Sequence, residues 1–278
     1  MGDPLTDDGL EEIEIRLLLE GVQRRYGFDF RDYAPASLRR RIWNIVRSEH
    51  LKTISALQER VLRDSGCLER FVIGVTVNVS SMFRDPGFFL AFRQKALPLL
   101  RTYPFIRIWQ AGCSMGEEVY SLAILLHEEG LYDRCLIYAT DMNEAVLRHA
   151  KTGIYPLDLM QKYTNNYIQA CGKASFSEYY TAAHSGALFR PFLREKMVFS
   201  PHNLVTDGGF NEFNVILCRN VMIYFNRALQ QRVHELFYQS LSMFGILGLG
   251  SRETLRFSPL ETRYEHVDGG QKLYRRIT

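Results

Sequence analysis

The 278-residue sequence predicts an α/β protein: a mostly parallel sheet with flanking helices, preceded by a small all-helical domain. Three observations predict it. Apolar residues recur at helical spacing in the first third of the chain, short apolar strands alternate with helices from Phe105 onward, and the last two strands flank an Asp268-Gly269-Gly270 turn. Strands separated by helices form parallel sheets with right-handed crossovers, and the closing pair is typical of an antiparallel hairpin.

Two stretches in the first part of the chain have apolar residues three or four positions apart, which is typical of amphipathic helices. They are Ile13, Leu17, Leu18 and Val22, then Leu38, Ile42, Ile45 and Val46. Further helices are predicted over about 55–65 and 88–100. We therefore predict a helical domain over residues 1–88 and a helical linker over 89–104.

The second predicted domain spans residues 105–278. Its strands are expected at 106–111, 135–140, 197–199, 214–218 and 246–250, with hairpin strands at 264–267 and 272–277, and its helices at 119–129, 144–151 and 227–244. The irregular stretch between Gly153 and Asn203 is too long for a simple crossover. We interpret it as an inserted lobe of short antiparallel strands within about 176–200.

The composition, 46% hydrophobic and 23% charged, is that of a globular protein, and a net charge of +3 is too small to indicate nucleic-acid binding. Five cysteines without a CxxC pair argue against a disulfide framework and against a zinc site, so we predict no metal. The chain shows no signal-peptide pattern and no apolar segment of membrane-spanning length. A cytoplasmic protein with reduced thiols is expected.

The segment after the first predicted strand is the most informative one. Gly112 and Gly116 allow a sharp turn and a close approach of a ligand at the carboxyl edge of the sheet. The pair Glu117–Glu118 at the following helix N-terminus disfavours a phosphate ligand. A ligand with cationic and hydroxyl groups fits better, and S-adenosylmethionine carries a sulfonium, an ammonium and a ribose diol. The alternative is that both acids are ordinary first-turn residues and the glycines only shape a loop.

Three more residues are candidates, each with a structural alternative. Asp141 follows the second strand, where a carboxylate can accept hydrogen bonds from a ribose diol, but it could instead cap the next helix. Asn220 ends a later strand, where its amide can donate and accept, although asparagine also closes turns. Arg84 can hold a carboxylate through its planar fork, or simply pair with Asp85.

Several motifs in order resemble the CheR family of chemotaxis-receptor glutamate O-methyltransferases over essentially the whole chain. They are Cys218–Phe225 (CRNVMIYF), Gly116-Glu117-Glu118 with Tyr120-Ser121, Asn78-x-Ser80 leading to Phe83-Arg84, Asp141, Gly153-Ile154-Tyr155 and Asn203-Leu204. The resemblance implies a Rossmann-like class I methyltransferase sheet with an inserted β lobe. It implies transfer of a methyl group from S-adenosylmethionine to glutamate γ-carboxylates on receptor signalling helices, giving glutamate methyl esters and S-adenosylhomocysteine.

The resemblance also implies which residues bind the cofactor. These are Asn78, Ser80, Arg84, Glu118, Asp141, Asn203, Leu204, Asn220 and Val221, and we add Gly112 from the turn. Asp141 would take the ribose, Glu118 would lie by the methionine end, and Asn203 with Leu204 by the adenine. Arg84 and Tyr224 are predicted to orient the acceptor carboxylate. The chain departs from the family pattern at Ser80, Met115, Val119 and Ser251-Arg252.

A basic cluster in the helical domain is the predicted partner surface. It consists of Arg39, Arg40, Arg41 and Arg47, which would face the acidic surface of a chemoreceptor, although a solvated helix face is the alternative. The β lobe resembles that of family members with a shorter loop, so we expect the protein to dock without the receptor's C-terminal pentapeptide. We expect neither nucleic-acid binding nor membrane insertion. There are two alternative functions: a methyltransferase with another acceptor, and a non-catalytic module that binds the cofactor.

Overall fold

The structure, a computed structural model, describes residues 7–76, 80–183 and 186–278. The described residues fall into two units. The first comprises 7–76 together with Tyr224–Gln230, and the second comprises the rest, including the segment 89–104 that was predicted as a linker. The candidate residue Asn78 lies outside the described residues.

The first unit is helical, as predicted. Its helices are α1 (Asp7–Tyr26), α2 (Pro35–Ser48), α3 (Ile54–Arg63) and α4 (Ser65–Val75). Thr53 and Asp64 begin α3 and α4, since their side chains accept the free N–H groups of Ala56 and Gly66. The sequence pattern did not predict α4. Its glycines and β-branched residues have low helix propensity, and it is stabilised by its cap and by the burial of Phe71 and Val75.

The second unit begins with a nearly continuous helical segment and continues as alternating strands and helices. In chain order it contains α5 (Pro86–Ala91), a π-helical turn (Phe92–Ala96), α6 (Leu97–Leu100), β1 (Ile106–Ala111), α7 (Glu117–Glu128), β2 (Cys135–Asp141), α8 (Glu144–Thr152), β3 (Ile154–Tyr155), α9 (Met160–Gln169), β4 (Tyr180–Ala183), β5 (Gly186–Phe189), β6 (Met197–Pro201), β7 (Phe213–Cys218), β8 (Leu241–Leu249), β9 (Tyr264–Asp268) and β10 (Leu273–Arg276). One more helix, α10 (Arg227–Ser240), runs from the first unit into the second. None of the described helices is long and apolar enough to cross a membrane.

The main sheet has the order β6-β2-β1-β7-β8-β10-β9. The five strands from β6 to β8 are parallel, and the closing hairpin of β9 and β10 is antiparallel, which confirms the predicted fold class. The chain passes from β1 to β2 on one side and later to β7 on the other. This reversal makes the carboxyl ends of β1, β2 and β7 the topological switch point, where α/β sheets bind ligands.

The inserted β lobe is a separate three-stranded antiparallel sheet with the order β3-β5-β4. Its strands β4 and β5 lie within the range 176–200 that was predicted for the lobe, whereas the third strand, β3, comes from earlier in the chain. The strand predicted at 197–199 among the alternating strands is Met197–Pro201, which pairs with β2 in the main sheet. Gly186 permits this arrangement, because a Cβ there would lie 2.6 Å from the carbonyl oxygen of Tyr155.

The prediction of a helix over 227–244 is wrong at its C-terminal end. The helix α10 stops at Ser240, and β8 begins at Leu241, which pairs with Phe213. The register shifts between Phe213 and Val215, and Phe244 has a left-handed φ of 63°. No glycine or proline marks this boundary, so only the pairing of Leu241 with the neighbouring strand ends the helix.

His234 on α10 is expected to make the stability of the protein sensitive to acid. Its side chain is buried, Nδ1 has no partner among the described residues, and burial lowers its pKa to about 4. The unfolded chain takes up a proton below its ordinary pKa of about 6.5, whereas the folded protein does not until about 4. The free energy of unfolding therefore falls as the pH drops through this window, by up to roughly 3 kcal/mol for this group.

Denaturant unfolding of wild type and His234→Gln between pH 7 and about pH 4.5 would measure this contribution. The variant is expected to lose stability less steeply than wild type as the pH falls. His266→Gln, at an exposed position on β9, is the control and is expected to keep the wild-type slope. If the free energy of unfolding fell equally steeply with pH in wild type and His234→Gln, the acid sensitivity could not be assigned to His234.

Candidate functional site

The carboxyl ends of four adjacent strands form one edge of the main sheet. Hydrogen bonds between the loops fasten this edge: Cys113 N donates to Thr140 O at 2.8 Å, and His202 N donates to Asp141 O at 3.1 Å. Seven of the predicted cofactor residues follow or adjoin these strand ends. They are Gly112, Glu118, Asp141, Asn203, Leu204, Asn220 and Val221.

The turn after β1 requires both of its glycines. Gly112 has φ +69°, and a Cβ there would lie 2.5 Å from Cγ2 of Val221. Gly116 has φ +91°, and a Cβ there would lie 2.8 Å from Cβ of Ala150. The turn is therefore packed against the loop after β7 on one side and against α8 on the other, and Gly112 and Val221 are brought together.

Asp141 is held at the end of β2 by backbone donors. One carboxylate oxygen accepts Ser114 N at 2.9 Å and the other accepts Asn143 N at 3.0 Å. Burial raises the pKa of Asp141, against the effect of these hydrogen bonds. The alternative role as a helix cap is wrong, because Asn143 caps α8 by accepting Ala145 N at 2.9 Å.

Glu118 is a buried ion-pair partner and not an ordinary exposed first-turn acid. Its oxygens accept Nε2 of Gln110 at 2.8 Å and a guanidinium nitrogen of Arg219 at 2.5 Å. The side chains of Arg219 and Glu118 are only 1% and 9% exposed. These contacts fix the orientation of the Glu118 carboxylate.

Sequence reasoning missed Arg219, although it lies inside the matching motif. Besides Glu118, its guanidinium binds the carbonyl oxygen of Arg84 at 3.1 Å and Oδ2 of Asp85 at 2.9 Å, and it lies 4.0 Å from the ring centroid of Phe88. Arg219 thus ties the end of β7 to α7 and to the segment before α5. No local pattern indicated this, since the partners are about 100 residues or more away in sequence.

The neighbouring acid Glu117 was also missed. It is buried, it faces the hydroxyl groups of Ser80 and Tyr163, and burial raises its pKa. Within the part of the chain that the structure describes, its Oε2 has no hydrogen-bond partner. Spacing alone could not separate Glu117 from Glu118, because both occupy the first turn of α7.

The loop after β7 is built around a third missed residue, Glu253. Asn220 has a left-handed φ of 61°, and its Oδ1 is buried without a partner among the described residues. Glu253 accepts the backbone N–H groups of Asn220, Val221, Met222 and Gly250 at 2.6–3.0 Å. Two signals were available for Glu253: it follows the predicted strand 246–250, and it keeps the family's residue next to the departures at Ser251-Arg252.

The segment from Ser80 to Asp85 is fastened to α7 and α9. The backbone N–H of Phe83 donates to the Ser121 hydroxyl at 2.9 Å, and Asn166 donates to the carbonyl oxygen of Met82 at 2.9 Å. Arg84 is partly exposed, and its carbonyl oxygen accepts from Arg219. The structure thus links the backbone of Arg84 to the same edge of the sheet.

Asn203 and Leu204 follow β6, beside Asp141. The side-chain oxygen of Asn203 accepts Val205 N at 2.9 Å, and its backbone N–H donates to Asp207 at 2.9 Å. Leu204 is 8% exposed. The Asn203 side chain therefore shapes its own loop.

The remaining predicted residues lie in the first unit. The ring of Tyr224 lies 4.3 Å from the guanidinium of Arg41, which is buried and donates to the carbonyl oxygen of Val75. Arg39 makes a two-pronged ion pair with Glu11. The side chains of Arg40 and Arg47 are exposed on α2. Arg41 is thus a packing group, and the surface part of the basic cluster consists of Arg39, Arg40 and Arg47.

Two cysteines next to the site are unsuited to nucleophilic chemistry. Cys113 and Cys218 are both buried, and burial raises the pKa of each thiol well above its ordinary value. A protonated thiol is a weak nucleophile.

Comparison with known proteins matches both parts of the chain to family models. Residues 78–271 match "CheR methyltransferase, SAM binding domain", and residues 13–76 match "CheR methyltransferase, all-alpha domain". The chain is 48% identical over 272 residues to "Putative methyltransferase Cher3" of Pseudomonas putida, covering 98% of this chain and 100% of that protein. It is 30% identical over 239 residues to a chemotaxis protein methyltransferase of Listeria monocytogenes, covering 84% and 87%. The corresponding protein of Escherichia coli is 28% identical over 264 residues, covering 92% and 88%.

The second unit has a parallel sheet with a terminal hairpin, a glycine turn after β1 and an acid after β2, and it matches a cofactor-binding domain. Together these features define an S-adenosylmethionine-dependent methyltransferase. Within that class the chain belongs to the CheR methyltransferase family.

The residues at the carboxyl edge fit this cofactor. Gly112 leaves a cradle against Val221 that any Cβ would fill. Two buried acceptor oxygens, Oε2 of Glu117 and Oδ1 of Asn220, are without partners among the residues described. A ligand with an ammonium group and hydroxyl donors satisfies such oxygens, whereas a phosphate does not.

Proposed function

We propose that the protein methylates glutamate γ-carboxylates on the signalling helices of chemoreceptors and forms glutamate methyl esters. The names of the Listeria and Escherichia relatives, which describe chemotaxis protein methyltransferases, support this proposal. The observation that carries it is the link between Arg84 and the cofactor edge, through Arg219. This contact holds the backbone of Arg84 beside the edge, and a cationic side chain extending from there would suit an anionic acceptor.

The proposed cofactor residues are those at the edge and in the segment that begins at Ser80, together with Asn78, which lies outside the described residues. They are Asn78, Ser80, Arg84, Gly112, Glu118, Asp141, Asn203, Leu204, Asn220 and Val221. Asp141 would accept hydrogen bonds from the ribose, Glu118 would lie by the methionine end, and Asn203 with Leu204 by the adenine. When bound, S-adenosylmethionine supplies a methyl group on a sulfonium leaving group.

The acceptor needs no general base, since a glutamate carboxylate with an ordinary pKa of about 4.3 is ionised at neutral pH. What the protein must supply is orientation of the attacking oxygen, which contributes up to roughly 7–11 kcal/mol in favourable cases. Arg84 is the residue proposed to hold the carboxylate, whereas Tyr224, which was predicted with it, packs against Arg41 in the first unit. The basic cluster of α2 is proposed to meet an acidic receptor surface without a pentapeptide tether. Residues 184–185, within the stretch on which the pentapeptide prediction depends, lie outside the described residues.

Arg84→Ala is expected to lower turnover of a receptor fragment about tenfold or more, because a charge-assisted hydrogen bond to the carboxylate contributes about 1.5–3 kcal/mol. Arg263→Ala, which removes an exposed arginine of the same unit, is the control and should keep wild-type turnover. Wild-type turnover and cofactor affinity in Arg84→Ala would refute the role.

Transfer of a radiolabelled methyl group to the cytoplasmic fragment of a chemoreceptor tests the function directly. Glutamate methyl esters release methanol in mild base, and a receptor fragment with glutamine at the acceptor positions should take up no label. Label that resists base, or that enters the glutamine fragment equally, would point to another acceptor. Cofactor binding without transfer to any receptor fragment would favour the non-catalytic module.

A further inference from the structure

The loop after β7 presents three successive backbone N–H groups to one point. The donors belong to Asn220, Val221 and Met222, and the N–H of Gly250 joins them from the end of β8. Converging backbone N–H groups of this kind form an anion-binding nest. Here the anion is supplied by the protein itself, since the buried carboxylate of Glu253 fills the nest.

The left-handed conformation of Asn220 is held by this anchor. Asparagine adopts φ near 61° more readily than other residues with a Cβ, and Glu253 binds its backbone N–H in that conformation. Gly250 packs closely against the same turn, because a Cβ there would lie 2.7 Å from Asn220 N and 3.0 Å from Asn220 Nδ2. Glu253 and Gly250 together hold the amide of Asn220 in place.

We propose that Glu253 is a positioning residue for the cofactor: by binding the three N–H groups of the turn, it aims the Asn220 amide into the site. It acts through Asn220 and does not itself contact the cofactor, because its oxygens are occupied by the four backbone donors. This inference rests on the proposed assignment of Asn220 to cofactor binding.

Glu253→Gln is the most direct variant because it keeps the shape of the side chain. In the native protein one oxygen accepts from Val221 and Met222, and the other accepts from Asn220 and Gly250. An amide must turn its NH₂ group toward one of these pairs, so two backbone N–H groups lose their acceptor and face a donor. The turn is then expected to relax away from the left-handed conformation.

Calorimetric titration of S-adenosylhomocysteine into wild type, Glu253→Gln, Asn220→Ala and the double variant would test the proposal. Both single variants are expected to bind about tenfold more weakly, as for the loss of one buried hydrogen bond. The double variant should bind no more weakly than Asn220→Ala alone, since residues that act as a unit are not additive. A merely structural role would instead leave the affinity of Glu253→Gln unchanged or give additive losses.

A matched control separates stability from positioning. Glu128 is another buried carboxylate of this unit, and it accepts from the hydroxyls of Tyr167 and Tyr179 and from Lys173 N. Glu128→Gln is expected to lower the melting temperature but to keep the wild-type affinity. If Glu253→Gln does not fold, Gly250→Ala disturbs the same turn from the other side, with the same expected loss and the same lack of additivity with Asn220→Ala.

Besides additive losses in the double variant, two outcomes would overturn the inference, and they are distinguishable. Wild-type affinity of Asn220→Ala would remove Asn220 from the cofactor site. Weakened binding by Asn220→Ala with wild-type binding by Glu253→Gln would leave Asn220 in the site and show that Glu253 does not position it.

Discussion

Arg219→Met is expected to destabilise the protein by about 3–5 kcal/mol, because it leaves the Glu118 carboxylate buried without its cation. Among the described residues Arg219 is the only cation that forms an ion pair with Glu118, and the two side chains are 1% and 9% exposed. The same guanidinium also binds the carbonyl oxygen of Arg84. Urea unfolding of the variant should show a lower midpoint with an unchanged slope.

The matched control is the double variant Arg219→Met with Glu118→Gln. Replacing a buried ion pair by neutral groups of similar volume is often nearly neutral, so the double variant should recover most of the lost stability. A double variant as unstable as Arg219→Met would show that the remaining contacts of Arg219, with Asp85 and the Phe88 ring, matter more than the pair with Glu118. Full stability of Arg219→Met alone would contradict the argument.

Asp141→Ala is expected to weaken binding of S-adenosylmethionine and S-adenosylhomocysteine by about 100-fold or more. The ribose of the bound ligand would lose two charge-assisted hydrogen bonds to the Asp141 carboxylate. Each of them contributes about 1.5–3 kcal/mol to binding. The backbone N–H groups of Ser114 and Asn143, which hold the carboxylate, would also lose their acceptor. Calorimetric titration of both ligands measures the effect.

Asn143→Ala is the control for Asp141→Ala, since it removes the neighbouring helix cap. Loss of the cap should cost about 1 kcal/mol of stability, and the affinity for the cofactor should stay near the wild-type value. Binding of either ligand at wild-type affinity by folded Asp141→Ala would exclude Asp141 from the site.

The sequence and the structure agree best where local patterns decide the conformation. The alternation of strands and helices from Phe105 onward, the glycine turn at Gly112 and Gly116, and the acid after β2 were all predicted from the residues. The boundary between α10 and β8 was not, because the residues around Leu241 carry no turn signal and the strand forms by pairing with Phe213. The helix α4 was missed for a similar reason, since its residues have low intrinsic helix propensity.

The order of the motifs along the chain was enough to indicate the family, the cofactor and the edge of the sheet where the site lies. Three features were visible only in the tertiary structure. Glu118 is paired, whereas Glu117 keeps a buried oxygen without a partner among the described residues. Asn143 and not Asp141 caps α8, and Glu253 fills the nest after β7. The physical reason is distance along the chain. Spacing along the chain determines which residues share a helix face or a strand end. The burial of a side chain, and its pairing with a distant residue such as that of Glu118 with Arg219, are decided only when the strands assemble.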